Sequence, residues 1–333
     1  MKLKLFTIII ACCLFTKARA QDPIFTQYFL IPETLNPGFT GFMETTYAGI
    51  IHREQWPELD LRIDTDYAFV NTWSDSMNSG LGISFLNQRE NVTNYNFSQL
   101  NANYAYKVKL NDYWEFRPGI EAGFGLKSFA FQNLLLEDQI NIRTGVINTS
   151  SMDPMLLNRK ATFFDVSAGM VFNTDKAWIG LSMKHLNRPN IAFSSEGNVP
   201  LNTFFSLSAG YEFLIIDYID VLLLPYETKF FLTSNYMQQG RYNRLDLGAS
   251  ILFEKIFFGA TAVTNPAKNG ANGDLMTSVN LLTGLQYEHL RLGFSYDFNT
   301  TKIGKTGGIY ELSLTYQFDL RRKCFGCPNY SGN

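Results

Sequence analysis

Between Ile309 and Phe318, apolar and polar side chains alternate without a break. Tyr310, Leu312, Leu314, Tyr316 and Phe318 fall on one face, and Glu311, Ser313, Thr315 and Gln317 on the other. Successive side chains of a strand point to opposite sides of a sheet, so this pattern predicts a strand with one greasy and one wet face. The pattern recurs. Leu292, Phe294, Tyr296 and Phe298 alternate with Arg291, Gly293, Ser295 and Asp297. Leu245, Leu247, Ala249, Ile251 and Phe253 alternate with Arg244, Asp246, Gly248 and Ser250, and Phe205 to Phe213 behaves likewise. Fourteen such segments are predicted, at 46–55, 61–70, 80–89, 96–107, 114–127, 161–173, 176–184, 203–213, 219–230, 241–253, 256–264, 276–287, 290–298 and 308–318.

Composition says which solvent the greasy faces meet. Of 333 residues, 15% are aromatic, with 29 Phe and 17 Tyr, and only 17% are charged. A soluble all-β domain carries that load only with a very large core, whereas a barrel in lipid places it outside. No mature stretch supplies the ~20 apolar residues of a spanning helix; the densest, Phe213 to Leu224, is broken by Asp217 and Asp220. Connections are short at Asn173 to Lys176, Glu254-Lys255 and Glu288-His289, and long at Ser128 to Lys160 and His185 to Asn202. Bacterial barrels pair tight periplasmic turns with longer outer loops in this way. The expected fold is therefore all-β, a 14-stranded antiparallel transmembrane β-barrel with short periplasmic turns and longer extracellular loops. An even strand number places both termini in the periplasm.

An Arg or Lys facing lipid at mid-depth costs roughly 2–4 kcal/mol, so the polar faces should point inward. The inward set then contains Arg53, Arg62, Arg117, Lys184, Lys229, Arg244 and Arg291 against Asp64, Asp66, Glu115, Glu121, Asp165, Glu212, Glu227, Asp246, Asp297 and Glu311. Mixed signs predict ion pairs bracing the lumen rather than ion selectivity. Arg53 and Gln55 are expected to brace against Asp64 or Asp66, and Asp297 and Glu311 to pair with Arg291 or Arg53. Two places resist. Pro118 and Pro225 fall inside predicted strands, where a proline calls for a bulge or a wrong boundary, and Val221 to Leu224 is apolar on both faces.

The first twenty residues read as a cleaved secretory signal: Lys2 and Lys4, an apolar Leu5 to Phe15, then Ala18-Arg19-Ala20. Acylation at Cys12 is the competing reading, disfavoured by a very short apolar run. Residues 21–45, with Pro23, Pro32 and Pro37, are expected to be irregular and to lie in the periplasm or tuck into the lumen; 46–318 form the barrel and 319–333 a tail. The tail carries Cys324 and Cys327. A structural zinc site normally needs four ligands, so a local disulfide or idle thiols are expected and no metal. With 28 basic and 30 acidic residues, no field favours nucleic acid. There is no GxSxG, phosphate loop or paired His-Glu metal motif, so no catalytic residue or cofactor is assigned.

Several motifs taken together resemble one family. Gln21-Asp22-Pro23-Ile24-Phe25-Thr26-Gln27-Tyr28 looks like the mature start of PorP/SprF proteins of type IX secretion and gliding in Bacteroidetes. Leu35-Asn36-Pro37-Gly38-Phe39-Thr40-Gly41 resembles that family's LNPAxxG box, with Gly38 for Ala. Arg53-Glu54-Gln55-Trp56-Pro57 is similar to its YRxQW element, His52 replacing the tyrosine. His185-Leu186-Asn187-Arg188-Pro189-Asn190 looks like its hLNQPN loop. Ser295-Tyr296-Asp297, Gly308 to Ser313 and the tail's Cys327-Pro328 with Tyr330 match its closing elements. The resemblance implies an outer-membrane barrel that works with type IX machinery subunits and binds or anchors a secreted adhesin through the adhesin's C-terminal sorting domain. The residues put forward for partner contact are His185, Asn187, Pro189, Asn190, Asn36, Pro37 and Trp56, although Trp56 reads better as an interfacial anchor. The rival readings are a transport barrel for a small solute and a membrane-embedded hydrolase.

Overall fold

The computed structural model describes residues 22–59, 61–129, 139–141, 146–147, 160–193, 197–215, 225, 228–267, 275–301 and 306–318. The candidate signal sequence and the cysteine-bearing tail lie outside them. Fourteen antiparallel strands close into a barrel. They are β1 (Tyr47–Gln55), β2 (Ile63–Ser74), β3 (Ser79–Glu90), β4 (Asn96–Tyr106, continued at Val108–Lys109), β5 (Glu115–Ser128), β6 (Lys160–Asn173) and β7 (Ala177–Lys184). The second half comprises β8 (Phe204–Leu214), β9 (Lys229–Gln239), β10 (Tyr242–Phe253), β11 (Ile256–Thr264), β12 (Met276–Tyr287), β13 (Leu290–Asn299) and β14 (Ile309–Gln317). Each strand pairs with its neighbours in sequence. The sheet closes where β1 meets β14, with Tyr47 opposite Gln317 and Gln55 opposite Ile309. No helix of the described residues is long and apolar enough to cross a membrane.

The two faces separate as period two requires. Ile50, Phe258, Leu281, Phe294 and Leu312 stand 44–58% exposed on the outside, while Ser206, Asn235, Asp246, Ser295 and Glu311 are buried within. Aromatic clusters mark both ends of the wall. Tyr296 packs on Tyr310 and Phe298 at one end, with centroids 4.7 and 4.4 Å apart. Tyr316 packs on Phe318 and His289 at the other, at 4.9 and 5.6 Å. Tyrosine suits such a position because one end of its ring is apolar and the other polar.

Three expectations need correction. The predicted strand at 219–230 is displaced: its pairing partner for β8 is Lys229–Gln239, and most of 216–227 lies outside the described residues. The apolar run Val221 to Leu224 outweighed the weaker alternation of the true strand, whose inward side carries Phe231 and Met237 as well as Thr233 and Asn235. The shift leaves Gly240-Arg241 as a tight turn among the long loops and lengthens the connection at the opposite end. Pro225 therefore lies outside any strand.

Pro118 does sit inside β5, but without a bulge. Ala105 faces Gly119 and Val108 faces Phe116, so the register is kept past Pro118; the ladder to β4 is interrupted at Tyr106 and Lys107, beside a proline that has no N–H to donate, while Pro118 stays opposite Met170 on the β6 side.

The third correction is a face reversal in β2. Thr65, Tyr67, Phe69 and Asn71 are buried in the lumen, which turns Asp64 and Asp66 outward, with Arg62 beside them. Tyr67 and Phe69 point inward because the interior is itself an apolar core at that level.

A positive charge placed mid-wall tests the face assignment. We expect Leu281→Arg on β12 to destabilise the barrel by about 2–4 kcal/mol in denaturant unfolding from liposomes, a cost set by its lipid-facing side.

Candidate functional site: a lumen filled by the leading segment

Residues 22–45 run through the barrel. Prolines deny this stretch regular pairing, and it folds instead into three short 3-10 turns, Thr26–Phe29, Pro32–Thr34 and Pro37–Phe39. Phe25, Tyr28, Phe29, Leu30, Ile31 and Leu35 are all buried. They pack against Tyr67, Phe69, Phe204, Phe231, Leu252 and Phe257, which project inward from the wall. The lumen thus has the interior of a soluble protein.

Four polar clamps set the path of the segment. At the first, Glu311 of β14 accepts the backbone N–H groups of Thr26 (2.8 Å) and Gln27 (3.0 Å) and pairs with Arg53 of β1 across the closure seam. The Thr26 hydroxyl donates to Asp297 at 2.7 Å, and the Gln27 amide donates to Ser295 at 3.2 Å. Arg53 reaches Asp297 at 4.0 Å and donates to Gln55 at 3.4 Å. Arg53 therefore braces against Glu311 and Asp297, not against the outward Asp64 or Asp66. Arg291 is also buried in the lumen, but six positions along β13 from Asp297.

At the second clamp, Asn36 donates to the carbonyls of Met170 and Leu181 at 3.1 Å each and accepts from the Gly38 N–H at 2.8 Å. Its turn lies so close to the wall that a Cβ on Gly119 would stand 2.5 Å from the Gly38 nitrogen. Only glycine admits that approach.

The third clamp holds the exit. Glu44 accepts from Lys107 and Arg117, each at 2.6 Å, and both cations lie over the Trp73 ring at 5.0 and 5.4 Å. Neither Glu44 nor Lys107 stood out in the sequence: Glu44 precedes the first predicted strand, and Lys107 is the last residue of the predicted 96–107 segment.

The fourth holds the entrance. His185, just after β7, is buried between Asp165 (2.8 Å) and Asp22 (2.6 Å), and the Asp22 N–H donates to Gln239 at 2.8 Å. Its φ of 59° lies in the left-handed region, uncommon for a side-chain-bearing residue. Burial alone would lower the imidazole pKa, but Asp22 and Asp165 override it and hold it at about 10. Burial would likewise raise the Asp22 carboxyl, yet His185 beside it brings the group below its ordinary range. A cavity of about 40 Å³ remains here, bordered by Asp22, Glu33, Gln99, Asp165 and His185, room for a water or so.

The parity of the strands does bring Tyr47 and Gln317 to one end of the barrel. Asp22 lies at the other, beside His185 and Gln239, so the leading segment spans the lumen from the long-loop end to the short-turn end.

The remaining partner candidates mostly hold up the loop they belong to. Asn187 donates to the Phe164 carbonyl and accepts from the Val166 N–H. Asn190 accepts from the Ala192 and Val199 N–H groups and donates to Gly197. Pro189 is buried, its carbonyl accepting from Leu201. Pro37 starts the Asn36 turn, and Trp56 follows β1 with its backbone N–H on the Gly308 carbonyl. The loop folds inward: Ile191 and Leu201 are buried on Phe97 and Phe163, while Leu186, Arg188 and Val199 face solvent. Sequence reasoning gathered Asn36, Pro37, His185 and Trp56 as one contact group. The structure brings Asn36 and Pro37 against β5, β6 and β7, ties His185 to Asp22, and leaves Trp56 at the seam.

This geometry defines a class: a closed transmembrane barrel of the outer-membrane type, filled by its own leading chain. The model of the type IX secretion system membrane protein PorP/SprF family matches residues 17–316, and the chain belongs to that family. Nothing among the curated proteins matches. Solved structures similar in fold include the CymD monoaromatic hydrocarbon channel, at 13% identity and a TM-score of 0.47, covering 90% of this chain and 95% of that one. A Pseudomonas aeruginosa FadL homologue is similar at 11% and 0.45, covering 85% and 93%. The KdgM porin is similar at 10% and 0.37, covering 82% and 99%.

Two outcomes follow from the clamps. Glu311→Ala leaves Arg53 buried without its closest acceptor, a loss of about 3–5 kcal/mol. We expect faster hydrogen exchange at Thr26 and Gln27 than in the unaltered barrel. The entrance clamp is pH-dependent. The raised His185 pKa contributes stability that is complete below 6.5 and lost as pH rises to about 10. The lowered Asp22 pKa contributes above 3.8 and is lost as pH falls through its folded value. Protection of residues 22–25 should be greatest between about pH 4 and 6.5 and should fall towards pH 10.

Proposed function

We propose that this barrel binds or anchors a cognate secreted adhesin through the adhesin's C-terminal sorting domain. In this reading the long-loop end faces outward and receives the adhesin, and subunits of the secretion machinery meet the barrel from the short-turn, periplasmic end. The exposed part of the 185–203 loop, with Leu186, Arg188, Asn190 and Val199, offers the contact surface, and His185 holds that loop to the buried segment. The single observation behind the reading is the filled lumen. A wall whose interior is occupied by Phe25, Tyr28, Phe29 and Ile31 is built as a rigid platform in the bilayer, not as an open path. Family membership supports work within type IX secretion.

A transport barrel for a small solute would need residues 22–45 to leave. Purified protein in planar bilayers should give no steady conductance, whereas deletion of residues 22–45 should open a pore. In cells, deleting the gene should abolish surface display of one or a few adhesins, and affinity purification from envelopes should recover the same proteins. Normal display together with solute uptake by the intact barrel would reject the anchoring role in favour of transport.

A further inference from the structure

At the long-loop mouth lies a buried cation that no described acid pairs. The inward cations Arg53, Lys107, Arg117, Lys184, Lys229 and Arg244 each reach a carboxylate or a backbone carbonyl. Lys127 does not. It is the penultimate residue of β5, opposite Phe97 of β4 and Ala161 of β6 on the inward face, and is only 7% exposed. Among the described residues its ammonium meets neither an acid nor a hydrogen-bond acceptor. It lies instead over the rings of Phe193 at 5.3 Å and Tyr95 at 5.6 Å.

Phe129 stands beside both rings, its centroid 6.5 Å from that of Tyr95 and 6.3 Å from that of Phe193. All three aromatic residues are partly buried. Phe97 stacks on Phe163 at 5.9 Å, and Ile191 and Leu201 of the 185–203 loop pack in the same cluster. The Phe163 ring covers Gly125, the next inward position of β5 towards the midplane, so closely that a Cβ there would stand 2.1 Å from it. Lys127 is thus shut off from the lumen beneath, and a ligand reaches it from outside. A ring face attracts an ammonium, but it does not replace the counter-ion that a buried charge requires.

We propose that Lys127 binds a carboxylate of the secreted polypeptide, either its terminal carboxylate or an acidic side chain. The inference rests on the anchoring role proposed above and says which group of the adhesin is held. Lys127 faces the lumen, so a lipid head group at the outer surface of the wall does not reach it, whereas a peptide entering the mouth does. One ammonium balances one carboxylate, and Tyr95, Phe129 and Phe193 accept the apolar side chains beside it. In a site largely shut from water that ion pair is stronger than on an open surface.

The test reads the Lys127 side chain by NMR of the full barrel in nanodiscs, with lysine isotope-labelled at Cε and the Lys127→Met variant to assign the signal. N-acetyl-diphenylalanine with a free carboxyl should shift that signal to saturation if the terminus is the ligand. N-acetyl-aspartyl-phenylalaninamide should do so if an acidic side chain is. N-acetyl-diphenylalaninamide, which has no carboxylate, should leave it in place. In envelopes, the Lys127→Met barrel should bind the adhesin about 30-fold or more weakly than the unaltered one. Lys127→Arg, which keeps the charge, should retain most of the binding, and both variants should keep the β-sheet circular dichroism. No shift with either acid, equal shifts with acid and amide, or undiminished adhesin binding by Lys127→Met overturns the proposal. So does a shift of the signal, without any peptide, in a Glu137→Gln, Asp138→Asn, Glu196→Gln variant, which would assign the counter-ion to the chain's own loops. If the unaltered barrel recovers no adhesin, the anchoring role fails, and the peptide titration still decides whether Lys127 binds carboxylates.

Discussion

Backbone closure governs this molecule. In hydrocarbon no water is available to an unpaired N–H or C=O, so a sheet in the membrane must meet itself. The meeting of β1 and β14 is therefore the central joint, and the chain reinforces it from within. Arg53 comes from the first strand, Glu311 from the last, and the Thr26–Gln27 backbone sits on the pair. One buried carboxylate thus ties the seam and the leading segment together.

Buried ion pairs are weak arguments for stability, because desolvation offsets much of the attraction. The phenylalanines and aliphatic side chains of residues 25–35, packed on inward aromatics of the wall, supply the larger share of what holds the segment. Glu311, Asn36, Glu44 and His185 act differently. Each takes up backbone groups or charges that a 3-10 path leaves unsatisfied, and so each selects one path among many through a greasy channel. The entrance contact joins the 185–203 loop directly to Asp22 in the lumen.

The fold was legible because period two is a local property. Thirteen of the fourteen predicted segments overlap their strands closely, and β9 failed where its alternation weakened. In that strand Phe231 and Met237 face inward to pack on the leading segment, so both sides carry apolar residues and the pattern blurs. The same cause reversed β2: Tyr67 and Phe69 belong inside, and a rule that sends every aromatic to lipid misplaces them. The site was only half legible. Arg53, Glu311 and Asp297 were recognised as lumenal and paired, but what the two carboxylates hold, the Thr26–Gln27 backbone for Glu311 and the Thr26 hydroxyl for Asp297, lies 271 to 285 residues away in the chain. His185, Asn187 and Asn190 stood out as a motif whose polar groups turn out to be spent on β6, on their own loop and on Asp22.

Sequence by itself determined that the chain crosses lipid as an antiparallel sheet of fourteen strands, since side-chain alternation and strand length answer to neighbours one or two residues away. Tertiary structure alone decided what fills the enclosed space, which way β2 turns its charges, and that Asp22 and the start of β1 lie at opposite ends of the barrel. Those outcomes depend on which distant groups meet across the lumen, and alternation carries no record of a partner on the far side.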